Sequence, residues 1–217
     1  MSPHRSVRTA SGTGTLPTRM IRVWARDKPF GTEFVEVSIG RETLSATGVA
    51  IGSDPRPYRL EYQLTTTRRY VTARLSVRTA GDGWRRELVL ERADQTGSWQ
   101  CTTEAEGVLE RPAPGGDLAL VAAALDCDLG LSPLTNSMPV LRHRLHEGGG
   151  PLEFTTAWVA VPELAVYPSR QRYTFVRRQG PERIVRFESL ESDFEANISF
   201  DASGLVLDYP GIGRVVG

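Results

Sequence analysis

Asp126, Asp128, His143 and His146 are the residues whose types and spacing invite a chemical reading. Asp126-Cys127-Asp128 places two carboxylates on the same side of an extended segment, an arrangement suited to acid-base work or to holding a cation. Capping of the turn that follows is the plainer role. His143 and His146 form an HxxH that, with the two aspartates, would supply a mixed nitrogen and oxygen ligand set. Residues three apart on a strand point to opposite faces, however, so shared coordination there needs a turn. Cys127 has no neighbour that marks it as an activated thiolate, and a buried structural thiol is expected. The chain has no GxSxG elbow, Gly-rich phosphate loop, HExxH or dinucleotide fingerprint. The expectation is a protein that is not an enzyme and holds no metal or cofactor. An enzyme using Asp126, Asp128 and His143 is the catalytic alternative, and it requires these side chains to converge within hydrogen-bond reach.

The segment that follows is the most distinctive. Ser132, Thr135, Asn136 and Ser137 are interleaved with Leu131, Leu134 and Met138, and Pro133 and Pro139 bound the run. Such a loop is ordered only if its apolar members pack inward. Its amides and hydroxyls then face the rim of a cavity, with Arg142 and Arg144 presented together on one strand face. A packed Ω-like loop with arginine ion pairs is the competing reading.

The elements that must position these groups are strands. Tyr58, Leu60, Tyr62 and Leu64 alternate with polar residues, as do Val71, Ala73, Leu75 and Val77, and the two runs should pair as a hairpin. Phe194, Ala196, Ile198 and Phe200 alternate likewise before a turn at residues 201–204 and the apolar Leu205-Val206-Leu207. Weaker patterns cover residues 21–25, 34–39, 44–51, 84–91, 140–145, 154–161, 171–176 and 183–187. The predicted class is all-β: a single curled antiparallel sheet, half-barrel or barrel, of about a dozen strands, because so many twisted strands must curl or close. Residues 117–125 are Ala/Leu-rich behind Asp117 and predict one short helix. The expected organisation is a disordered tail over residues 1–19 and one antiparallel β domain over residues 20–217.

Composition narrows the function classes. Lys+Arg and Asp+Glu are 26 each, so no net field draws the chain to nucleic acid. Cys101 and Cys127 lack metal or redox spacing, and a disulfide is not indicated. No run approaches the ~20 apolar residues of a membrane-spanning helix. With no secretory signal visible, the cytoplasm is the expected compartment.

Residues 125–145 resemble the signature LDxDLGxSPLTNTxPxRR of a bacterial family described as glycolipid-binding. Trp158-Val159-Ala160-Val161-Pro162, Gln171-Arg172-Tyr173, the strand after Phe194, and Asp201-x-x-Gly204-Leu205-Val206 running into Tyr209-Pro210-Gly211 follow in the same order. The match covers the chain from about Met20, and residues 132–139 are its most specific part. Cys127 and Met138 are conservative departures, whereas His143 separates the paired arginines. The resemblance implies a curved antiparallel sheet, similar to bacterial lipoprotein carriers, around an apolar cavity that holds a lipid or glycolipid. Thr135 and Asn136 would then orient a polar head group at the cavity mouth, and Arg142 or Arg144 would meet its phosphate or sugar. Tyr62, Trp158 and Tyr173 would line the cavity, with Tyr58 and Trp84. A β domain that binds a protein partner is the alternative.

Overall fold

The structure, a computed structural model, describes residues 16–216. Fourteen strands form one sheet: β1 (Thr18–Arg26), β2 (Gly31–Ile39), β3 (Leu44–Gly52), β4 (Tyr58–Thr66), β5 (Thr72–Gly81), β6 (Trp84–Arg92), β7 (Trp99–Gly107), β8 (Asp126–Leu129), β9 (Leu152–Val159), β10 (Val166–Gln179), β11 (Glu182–Ser189), β12 (Glu195–Phe200), β13 (Val206–Tyr209) and β14 (Gly213–Val215). The expected tail lies, up to residue 15, outside the described residues.

Strands β1 to β7 make one antiparallel meander and β9 to β14 a second. They meet where β1 pairs with β14 as well as β2, so the spatial order is β7-β6-β5-β4-β3-β2-β1-β14-β13-β12-β11-β10-β9-β8. Trp24 of β1 seals this joint, its indole Nε1 donating to the Val206 carbonyl at 3.0 Å. The sheet curves but is not closed, and β7 and β8 are its edges. β8 pairs with β9 in parallel. Its entry is pinned near β5, where Thr72 N–H donates to the Leu125 carbonyl at 3.1 Å.

Period-two alternation holds in full on β4; at the start of β5 the buried residue is Thr72 rather than Val71 or Ala73, and Phe194 precedes β12 and is exposed. On β4, Tyr58, Leu60, Tyr62 and Leu64 are buried and Arg59 and Gln63 exposed. The concave face of the first meander packs Val35, Val37, Leu60, Leu64, Leu75, Val77, Leu88 and Leu90 into one core with Cys127, Leu129, Leu134 and Met138. The distinctive loop is therefore a plug inside the curl, and the enclosed apolar pocket expected there is filled by side chains. Apolar groups from both the sheet and the loop leave water together, which makes that filling favourable.

Glycines on β3 let large rings lie across the sheet. Gly48 and Gly52 pair with Tyr62 and Tyr58, and a Cβ at either position would run into the partner's ring. Gly48→Ala is accordingly expected to destabilise the protein by about 1–3 kcal/mol through overpacking. The midpoint of urea unfolding measures this, and an unchanged midpoint would contradict the ring placement.

Two expectations are corrected. Residues 140–145, read as a strand, lie mostly in the single α-helix of the described residues, α1 (Ser137–His143). Pro139 cannot donate to a β ladder but is tolerated in a first helical turn, whose N–H groups have no intrahelical partner. The helix ends at Arg144, which is left-handed (φ 53°), as Leu145 N–H returns to the Val140 carbonyl. The expected helix over residues 117–125 is reduced to a 3-10 turn at Leu118–Val121, with Asp117 accepting from Ala119 N–H. Cys101 and Cys127 are both free thiols.

Candidate functional site: an aromatic cleft beside the plug

The plug is held by buried polar bonds. Arg142 extends its guanidinium fork from α1 to both oxygens of Asp126 on β8. Burial pushes the Asp126 carboxyl up from its ordinary value, and the Arg142 fork pulls it part of the way back. Two residues on, Asp128 accepts from Thr135 Oγ1 at 2.9 Å and from Gln171 Nε2 at 2.7 Å. Thr135 Oγ1 also accepts from Leu129 N–H, so one side chain folds the loop back on its own strand. Tyr173 donates its hydroxyl to Asn136 Oδ1 at 2.8 Å and lies 3.1 Å from Gln171 Oε1. Burial holds the Tyr173 phenol well above its ordinary range, so it remains a donor.

Beside this network, on the concave side of the second meander, lies an open cleft of about 430 Å³. Its floor presents Asp128, Gln171, Asn136 and Ser169, and residues 129–132 of the plug form one wall. Trp158 and Tyr167, cross-strand neighbours on β9 and β10, make one aromatic rim with ring centroids 6.0 Å apart. Phe187, Phe194 and Tyr209 form the other, with centroid separations of 5.8 to 6.3 Å. Trp158 is 37% exposed, Tyr167 40% and Phe194 42%, values that leave part of each ring open to solvent. A larger depression of about 770 Å³ crosses β1 to β4. It is lined by Arg19, Glu36, Gln63 and small hydroxyl and apolar side chains, with no aromatic ring.

The anticipated site residues take different places. Asn136 and Trp158 line the cleft. Thr135 and Tyr173 stand behind it, orienting Asp128 and Asn136. Arg142 is committed to Asp126, and Arg144 points outward to Glu147, so the two arginines share no face. Tyr62 lies elsewhere, donating to Glu33 on β2. Asp126, Asp128 and His143 do not converge: each carboxylate has its own partner, and His143 stacks on Phe154 at 5.1 Å. Among the described residues no three His, Cys, Asp or Glu are grouped to hold a metal. Burial pushes the Cys127 thiol up to about 12, which keeps it protonated and a poor nucleophile.

The model of a family described as "Putative glycolipid-binding" matches residues 21–214. The chain belongs to this family. A crystal structure of a DUF1089 family protein from Pseudomonas aeruginosa is similar in fold, with 23% identity and a TM-score of 0.62 over 99% of this chain and 100% of the other. No curated protein matches the sequence. In this member of the family, the segment that carries the resemblance supplies both the plug and a wall of the cleft. Phe187, Phe194 and Tyr209 on the far rim come from separate strands and a turn, and Gln171 completes the floor. Residue-type reasoning did not single these four out as a site, although alternating aromatics on the inward faces of β9 to β13 are the signal that leads to them. Among the described residues no helix is long and apolar enough to cross a membrane.

Proposed function

We propose that the protein binds an amphiphile with a polyhydroxylated head group, such as a glycolipid, in the aromatic cleft. The observation that carries this is the facing of exposed Trp158 and Tyr167 across the cleft from exposed Phe194, which is backed by buried Phe187 and Tyr209, over a floor of carboxylate and amide groups. The C–H face of a sugar ring stacks on an indole or phenol, while its hydroxyls donate to Asp128 and exchange hydrogen bonds with Gln171 and Asn136. The first methylenes of a chain would lie along Phe194, whose ring is backed by Phe187 and Tyr209, each methylene contributing ~0.8 kcal/mol when taken out of water. A filled interior places the rest of the chain outside the curl. The family description supports the ligand class, and the chemistry of the cleft supports its location.

Native mass spectrometry of the purified protein, followed by organic extraction, should show a retained lipid, and alkyl glycosides should bind the lipid-free protein. Trp158→Ala should weaken alkyl glucoside binding by roughly tenfold to a hundredfold, equivalent to 1.5–3 kcal/mol for one buried side chain. Its unfolding midpoint should fall less than after truncation of a fully buried ring such as Trp24, because Trp158 is 37% exposed. An empty protein that also ignores alkyl glycosides would end this reading. The partner-binding alternative draws on the outward face of β1 to β3, where Ile21, Phe34, Val49 and Ile51 are exposed. In that case, conservative polar substitutions on this face would abolish an interaction that cleft variants leave intact.

A further inference from the structure

Glu33 occupies an inward-facing register of β2, between Gly31 and Val35, and is almost wholly buried. Its Oε1 accepts from the Tyr62 hydroxyl at 2.6 Å and from the Ser132 hydroxyl at 2.9 Å. Its Oε2 is buried and meets no donor of the protein. A cavity of about 20 Å³ adjoins it, bordered by Arg26, Tyr58, Tyr62 and Ser132, and this is room for about one water molecule. Residues 129–132 wall both this cavity and the aromatic cleft. The Ser132 bond to Glu33 therefore ties a cleft wall to the sheet behind it. Leu131, next to the tie, has φ 65°, a left-handed conformation that a residue with a Cβ adopts only where its surroundings impose it.

We propose that Glu33 is a positioning residue whose protonation state sets how firmly residues 129–132 are held against the sheet, and through them the shape of the cleft. Its role in ligand binding rests on the cleft being the binding site, whereas the tie itself does not. The groups facing Glu33 are Arg26 of β1 and Tyr58 and Tyr62 of β4, with Asp54 of the β3–β4 turn acting on Tyr58 and Cys127 of β8 on Tyr62. Tyr58, Tyr62 and Cys127 are all pushed up by burial and stay neutral, and residues 129–133 carry no charge. With the wall closed, burial raises the Glu33 carboxyl from 4.5 to about 7. When the wall lifts and water reaches Oε2, the carboxyl returns toward its ordinary value. Closing therefore takes up a proton within that window, and opening is favoured up to tenfold for each pH unit gained there, levelling off above it.

Hydrogen exchange of the ligand-free full chain, corrected for the pH dependence of chemical exchange, measures opening at residues 129–137. Between pH 5.5 and 8 the wild type should open roughly tenfold to thirtyfold more than Glu33→Gln does over the same interval. Asp128, also raised by burial, contributes to both proteins and cancels in that comparison. Tyr62→Phe removes a donor that lowers the Glu33 value, so it should shift the transition to higher pH while keeping it. Equal pH dependence in the wild type and Glu33→Gln, or a Tyr62→Phe transition that does not move, would overturn the proposal. Because no ligand is used, failure of lipid binding leaves this readout untouched, and a silent readout leaves the lipid reading standing.

Discussion

Arg142→Ala is expected to lower folding stability by about 3–5 kcal/mol, the range for removing one partner of a buried ion pair. The side chains of Arg142 and Asp126 are 1% and 3% exposed, so truncation strands a carboxylate where water cannot solvate it. The loss falls on the only side-chain fork between α1 and β8, and it should loosen the plug before the rest of the sheet. Urea unfolding followed by far-ultraviolet circular dichroism measures the effect. Asp126→Asn combined with Arg142→Met removes both charges together and should recover much of the loss, because the penalty comes from the unpaired charge rather than from absence of the pair. A loss below about 1 kcal/mol in the single variant would mean that Asp126 is reached by water or by another cation.

Glu33→Gln should have the opposite sign. The folded carboxyl sits at about 7 against an ordinary 4.5, so folding takes up a proton between these values and stability falls as pH rises through them. Below about pH 4.5 the group contributes nothing, and above about pH 7 the native state bears the whole cost of an ionised buried carboxylate. At 1.36 kcal/mol per unit, that cost has an upper bound of about 3 kcal/mol. Glutamine keeps an acceptor oxygen for Tyr62 and Ser132 and has no charge to bury. The variant should gain on the wild type by up to this amount between pH 4.5 and 8. Chemical denaturation of both proteins at the two ends of the range decides it, since parallel pH profiles would place Glu33 in contact with solvent.

The two halves of the molecule thus divide the work. The first meander and the plug form a close-packed body with a buried carboxylate at its edge, and the second meander carries the aromatic rims. Residues 129–132 touch both, lining the small cavity beside Glu33 on one side and the aromatic cleft on the other.

Much of this was legible from the amino acids. The β4–β5 and β12–β13 hairpins follow from alternation of side chains about a two-residue period, a local property of extended backbone. The signature over residues 125–145 carried the family. Glu33 left a local trace too, as a carboxylate on the buried parity of a strand, but parity alone cannot name the hydroxyl that meets it. Alternation over residues 140–145 puts Arg142 and Arg144 on one strand face, whereas packing of Met138, Val140 and Leu141 against the core makes that stretch a helix and sends the two arginines apart. The tertiary structure alone decided the β1–β14 seam, the filling of the curl by the loop, and the gathering of Trp158, Tyr167, Phe187, Phe194 and Tyr209 around Asp128 and Gln171. The physical reason is range: strand periodicity is written within a few residues, whereas a seam, a plug and a cleft arise from burying apolar surface between segments up to the whole chain apart, which no local pattern records.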